Sequence, residues 1–231
     1  MKSCLHLLAA TALCMIAAQT ATAVQAKTMI IGLDMSGSND LVTVPEHAAN
    51  VADVIDRQIK KMDLGDRVVV GLLGAYGHSD NMKRLDITMS RKKRPEKVGA
   101  SLGKLIQGIP GLVASGELDT QPNTNLLGFL EDEAFLLDCQ NNPAQFILIT
   151  DGVESSHEVD GNAIIEGKAE LPAPRTTSLA GCDLTILGIG QWVSGANRTV
   201  RDRLILAWQK WAKTAGIGHF KAIPKIADYQ G

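Results

Sequence analysis

The sequence predicts an α/β domain: a doubly wound, mostly parallel sheet with one antiparallel edge strand and helices on both faces. Three observations predict it. Short, continuously apolar runs (TMIIGL, VVVGLL, QFILIT and LTILGI) recur along the chain, as strands buried on both faces do. Stretches with apolar residues at helical spacing separate them. One run, Arg84–Met89, alternates apolar and polar residues instead, which suits an edge strand with one wet face.

The elements follow in order. Thr28–Leu33 is a short buried strand that ends at Asp34. Thr43-Val-Pro-Glu46 reads as a capping box, with Thr43 as N-cap, Pro45 in the first turn and Glu46 reaching back. Val44, Ala48, Val51, Ile55 and Met62 continue it as a helix. Gly65-Asp-Arg67 leads into a second buried strand, Val68–Leu73. After the edge strand comes a basic loop, Arg91–Pro95. A helix then runs from Pro95 to Ile109 and is expected to stop at Pro110-Gly111. The Gly- and polar-rich stretch Gly111–Asn123 reads as loop. Thr124 or Asn125 caps a helix running to about Asp138. Gln145–Thr150 is a strand that ends at Asp151. Gly152–Gly181 has no clear period, and a loop of that length is usually functional or mobile. Leu184–Ile189 is a strand, Val200 to Ala215 a helix carrying Trp208 and Trp211, and His219–Ile223 a last short strand.

The whole chain has 231 residues, enough for one domain with a core that needs no staples. Apolar content is 45% and charged content 21%, near the average for globular proteins, and a formal charge of −2 points to neither nucleic acid nor acidic lipid. Residues 1–26 read as a secretory signal peptide and 27–231 as the domain. Lys2 gives a positive start, Leu5–Ala18 is apolar, and Ala21-Thr-Ala23 and Val24-Gln-Ala26 offer small-residue cleavage patterns. A membrane anchor is the alternative, but the apolar stretch is short for a span. The expectation is export to the periplasm or the extracellular space, with no membrane insertion after leader removal. Cys139 and Cys182 then remain, and two cysteines in an oxidising compartment suggest one bridge. The alternative is two unpaired buried thiols.

The chemistry gathers at strand ends, where parallel sheets place their sites. The first strand runs into Asp34-Met-Ser36-Gly-Ser38, so one carboxylate and two hydroxyls at i, i+2 and i+4 can face one point. The Gln145–Thr150 strand delivers Asp151-Gly152 to the same edge, and Thr124 sits at a loop-to-helix junction that can reach it. An all-oxygen set with two carboxylates suits a hard divalent cation that keeps some waters. These residues resemble the von Willebrand factor A domain and its metal-ion-dependent adhesion site. The family signature is Asp-x-Ser-x-Ser after the first strand, a Thr in a middle loop and Asp-Gly after the fourth strand. IIGLDMSGS, PNTNLLGFL, FILITDG and LTILGIG match its usual contexts. The likeness spans Thr28 to about Ile223.

The resemblance implies a Rossmann-like α/β fold with a cation held by Asp34, Ser36, Ser38, Thr124 and Asp151. The ion would be Mg²⁺, with Mn²⁺ or Ca²⁺ as alternatives. Ser36, Ser38 and Thr124 would touch it directly, with one or both Asp acting through water. The remaining coordination position would take an acidic side chain from a protein partner. The family's strand order also makes the Gln145–Thr150 and Leu184–Ile189 strands neighbours. That sets Cys139 and Cys182 at the amino edge, within disulfide reach. The long Gly152–Gly181 segment departs from the family's pattern.

The implied function is a divalent-metal-dependent protein-binding module for adhesion or assembly, not an enzyme. The alternative is a metal-dependent phosphoester hydrolase on a similar fold. That chemistry wants a second Asp where Ser36 stands, and no nucleophile elbow or phosphate loop is present. Gly188-Ile-Gly190 lacks the third glycine of a dinucleotide fingerprint, since Val193 stands there. Arg91-Lys-Lys-Arg94 with Lys97 can bind polyanions, but a short cluster of this kind is usually a solvated loop. His157 with Glu154, Glu158 and Asp160 reads as a solvated acidic loop rather than a second metal site. Trp208 and Trp211 read as core packing.

Overall fold

Residues 26–74, 84–142, 144–191 and 198–231 are described by a computed structural model. Nearly all of the leader segment, residues 1–25, lies outside them, as does Val193. Six strands form one sheet: β1 Thr28–Asp34, β2 Arg67–Leu73, β3 Leu85–Thr88, β4 Ala144–Ile149, β5 Asp183–Leu187 and β6 His219–Ile223. Their order is β3-β2-β1-β4-β5-β6. Every pairing is parallel except β2 with β3, so Arg84–Met89 supplies the antiparallel edge its alternation predicts.

The apolar runs are buried on both faces because successive side chains point to opposite sides. Ile31, Leu33, Val68, Val70, Ile147 and Ile149 face one layer, made by α1 Asp40–Thr43, α2 Pro45–Lys60 and α3 Pro95–Ala114. Ile30, Val69, Phe146, Leu148, Leu184 and Ile186 face the other, made by α4 Leu126–Phe135, α5 Gly161–Ile165 and α6 Arg198–Thr214. The α4 layer comes close to the sheet because two strand residues lack a Cβ. A Cβ on Gly71 would sit 2.7 Å from the Phe129 ring, and one on Gly32 at 3.0 Å. No helix among the described residues is long and apolar enough to cross a membrane.

Four local expectations change. Thr43 does not cap α2. It is the last residue of α1, whose N-cap is Asn39, with its Oδ1 accepting from Leu41 N at 2.9 Å. The α2 N-cap is Val44, with no side-chain bond, and Pro45 opens the helix. A second helix just upstream occupies the capping residue, and local pattern could not show that. Pro110 does not stop α3, which runs on to Ala114. The proline ring has helical φ and forfeits one backbone bond near the end, while Ile109 and Pro110 remain buried. The next helix, α4, ends at Phe135 rather than near Asp138, because Asp138 instead accepts from Asn141 N in a turn. Finally, the unpatterned Gly152–Gly181 segment contains α5. It is fastened to α4 through Glu131, which accepts from Arg175 N at 2.8 Å and from its Nε at 2.6 Å.

Cys139 and Cys182 form a disulfide with Cα atoms 5.1 Å apart, both buried at the amino edge before β4 and β5. The two strands it leads into are paired, Gln145 opposite Asp183.

Candidate metal centre

The order of strand addition reverses at β1, since β2 and β3 build outward on one side of it and β4, β5 and β6 on the other. The carboxyl ends at such a switch point leave a crevice. Asp34 is the last residue of β1, opposite Leu73, and Thr150 follows Ile149, which pairs with Leu33. Asp34 and the Thr150-Asp151 step therefore leave the sheet side by side.

Each predicted residue is placed by its own local structure. Asp34 is 1% exposed, and its Oδ1 accepts from Ser36 N at 2.9 Å, which folds the backbone into a turn. That turn puts Ser36 Oγ 3.3 Å from Ser38 Oγ; Ser36 is buried and Ser38 lies on the exposed rim. Asn39 N closes the turn on Ser36 O at 3.0 Å. The loop after α3 docks against it, with Gln121 N donating to Met35 O at 2.8 Å. Thr124 arrives by an antiparallel bridge to Ser155, and its hydroxyl donates to Asp34 Oδ1 at 3.4 Å. Asn125, not Thr124, is the N-cap of α4, its Oδ1 accepting from Gly128 N at 2.9 Å, so the Thr124 hydroxyl is left for the site. Asp151 is buried, and its Oδ1 accepts from Val153 N at 2.9 Å.

The structure thus brings Asp34, Ser36, Ser38 and Thr124 into one hydrogen-bonded group, with Asp151 close enough to feel the Asp34 charge. Burial first, and then that charge, push the Asp151 carboxyl up to about 7, against the pull of the Val153 N–H. No ion pair among the described residues involves Asp34 or Asp151. Two buried carboxylates with three hydroxyls, and no basic side chain paired to them among the described residues, make a donor set that fits a hard divalent cation. No group of three or more His, Cys, Asp and Glu gathers among the described residues, either at these strand ends or around His157.

Three residues that the sequence reading missed hold this arrangement. Thr150, fully buried, donates to Asp34 Oδ2 at 2.7 Å and accepts from Gly152 N at 3.1 Å, so it ties the two strand ends together. A hydroxyl at the end of an otherwise apolar buried run was the available signal, since a buried hydroxyl needs a partner. Trp208 of α6 donates its indole Nε1–H to Gly152 O at 2.7 Å while packing edge-on against Trp211, ring centroids 5.5 Å apart. Gly152 has φ +79, and a Cβ there would lie 2.9 Å from Ile189, so this turn demands glycine. Glu154 is only 2% exposed, and its Oε2 caps α4 by accepting from Leu126 N at 2.7 Å and Leu127 N at 3.1 Å. It is therefore buried, contrary to the solvated loop expected of it. The Gly188-Ile-Gly190 turn also finds its use here: Gly190 N donates to Asp151 O at 2.7 Å.

No protein-family model matches the sequence. No curated protein matches it either. Among solved structures, the chain is similar to the pilus adhesin SpaC from Lactobacillus rhamnosus GG, at 14% identity and a TM-score of 0.48, over 89% of this chain and 29% of that one. It is similar to a von Willebrand factor type A protein from Catenulispora acidiphila at 15% identity and a TM-score of 0.41, over 83% of this chain and 42% of that one. A third is the manganese-loaded TRAP protein of Plasmodium vivax, at 16% identity and a TM-score of 0.39, over 76% and 62% of the two chains. The chain thus spans less than two thirds of the length of each. At these identities the likeness concerns fold, and what the site does has to be read from the chain's own residues.

Proposed function

We propose that this chain is an exported von Willebrand factor A-type module that binds a protein partner through a divalent cation. The observation that carries the reading is the convergence of Asp34, Ser36, Ser38, Thr124 and Asp151 from three distant stretches of chain, with no ion pair to Asp34 or Asp151 among the described residues. Ser36, Ser38 and Thr124 would hold Mg²⁺ directly, with one or both of Asp34 and Asp151 acting on it through water. Mn²⁺ or Ca²⁺ would use the same oxygens. The cation supplies a positive, coordinatively open point on the surface. Ser36, Gly37, Ser38, Thr120, Gln121 and Pro122 line an open hollow of about 410 Å³ there, which gives a partner access. The partner donates a Glu or Asp carboxylate to the free position. The apolar leader and the buried disulfide support export, since such a bridge persists in an oxidising compartment.

The test is capture of partner from envelope extract by wild type, Asp34→Ala and Thr124→Ala, each with and without chelator. Capture by wild type alone, abolished by chelator, is expected. Equal capture by all three, indifferent to chelator, would end the adhesion reading.

A further inference from the structure

The edge of the sheet opposite the candidate metal centre carries a second surface. Thr28, Arg67 and Thr88 share one row, at the amino ends of β1 and β2 and the carboxyl end of antiparallel β3. The turns beyond that row, at Leu64-Gly65 and Met89–Arg94, are joined by Gly65 N donating to Met89 O at 3.0 Å. The second turn is well defined: Ser90 N donates to Lys93 O at 3.0 Å, Lys93 N to Ser90 Oγ at 3.1 Å, and Arg94 Nε to Arg91 O at 3.3 Å. It holds Arg91, Lys92, Lys93 and Arg94 exposed, with Lys97 exposed in the first turn of α3.

These five basic residues stand against one acid, Glu96, so residues 91–97 carry +4. The whole chain carries −2, which leaves −6 for the rest. None of the five is in an ion pair among the described residues. Beside the turn, Leu64 stands 57% exposed, and with Met62, Asp63, Arg91, Arg94, Pro95 and Glu96 it lines an open cleft of about 400 Å³. Asp63 and Glu96 balance the two arginines inside the cleft, so Lys92, Lys93 and Lys97 outside it supply the excess charge.

We propose that this edge is a peripheral docking surface for an anionic phospholipid bilayer. Unpaired cations attract the headgroups, and Leu64 enters the interface between them. An exposed leucine amid cations is what a lipid surface uses, and the Arg91–Lys97 segment contains no aromatic residue on which bases could stack. A protein docked this way turns the carboxyl edge, and any partner bound there, away from the bilayer by the length of β1, roughly 20 Å. The proposal does not depend on a cation being bound.

The test uses the full chain as the cell leaves it, with its N-terminus determined by mass spectrometry. It is sedimented with vesicles of phosphatidylcholine alone, or with a third of the lipid replaced by phosphatidylglycerol, at low and high salt. Binding to the anionic vesicles only, weakened by salt, is expected. Replacing Arg91, Lys92, Lys93 and Arg94 together with Gln should weaken it roughly a hundredfold or more. Leu64→Ser should weaken it several-fold. Equal binding to neutral vesicles, which an uncleaved leader would produce, overturns the proposal, and so does full binding by the four-residue variant. Capture of soluble polyphosphate without any binding to anionic vesicles overturns it in favour of a soluble polyanion. Should the four-residue variant melt early, the salt dependence and Leu64→Ser decide the matter.

Discussion

At the scale of single residues, the candidate centre depends on groups outside its five candidate ligands. Trp208 satisfies Gly152 O inside the protein, and Trp208→Phe keeps the ring but removes that donor. Leaving a buried carbonyl unpaired costs about 1–3 kcal/mol. We expect a destabilisation of that size in denaturant titration, with weaker cation binding by calorimetry because the Asp151-Gly152 turn loosens. Asp151 gives a pH signature in chelator. Its carboxyl is raised from 3.8 to about 7, so the folded state favours the protonated form. That contribution is full below the ordinary carboxylate range and is lost as pH rises through about 7. The melting temperature of cation-free wild type should fall between about pH 4 and about pH 7 by more than that of Asp151→Asn, and the difference should level off above that range. Equal slopes in the two proteins would remove Asp151 as the source.

At the scale of elements, caps and the crosslink are open to direct test. Asn39 caps α1, and Thr43 caps nothing. Asn39→Ala should cost about 1 kcal/mol, while Thr43→Ala should stay within about 0.5 kcal/mol, both by denaturant titration. The reverse ranking would restore the capping box at Thr43. The Cys139–Cys182 bridge closes 43 residues that include α5 and the long segment between β4 and β5. The chain-entropy picture gives about 4 kcal/mol for such a loop. Reduction should therefore lower the melting temperature clearly yet leave the candidate ligands assembled at the far edge. Two free thiols, found by mass spectrometry in non-reduced protein from its own envelope, would exclude the bridge.

At the scale of the whole molecule, the two ends of the sheet have opposite chemistry, acidic and hydroxylic at the carboxyl edge and basic at the amino edge. The five oxygen-bearing residues are contributed by segments near positions 34, 124 and 151, which meet only once the sheet is formed. A cation that binds there binds the folded state alone. At a hundred times its dissociation constant it should add about 2.7 kcal/mol. A rise in melting temperature with Mg²⁺ concentration, present in wild type and missing in Asp34→Ala, is the expected result. A flat response in wild type would count against a cation at this site.

By itself the sequence determined the order of the strands and of the longer helices and the parallel sheet, and it nominated five candidate ligands. Continuous apolar runs are legible without a structure because burial on both faces demands them, and a turn motif such as Asp34-Met-Ser36-Gly-Ser38 carries its geometry within five residues. Tertiary structure alone decided what depended on partners distant in the chain. It freed Thr124 by giving the α4 cap to Asn125, joined Thr150 to Asp34 across 116 positions, and set the Trp208 indole on Gly152. It also buried Glu154 under α4, let α3 continue through Pro110, and put the Leu64 and Arg91–Arg94 turns side by side. The physical reason is the same in each case. A side chain's hydrogen-bond partner and burial are set by what packs against it, and local periodicity records only which face of its own element it occupies.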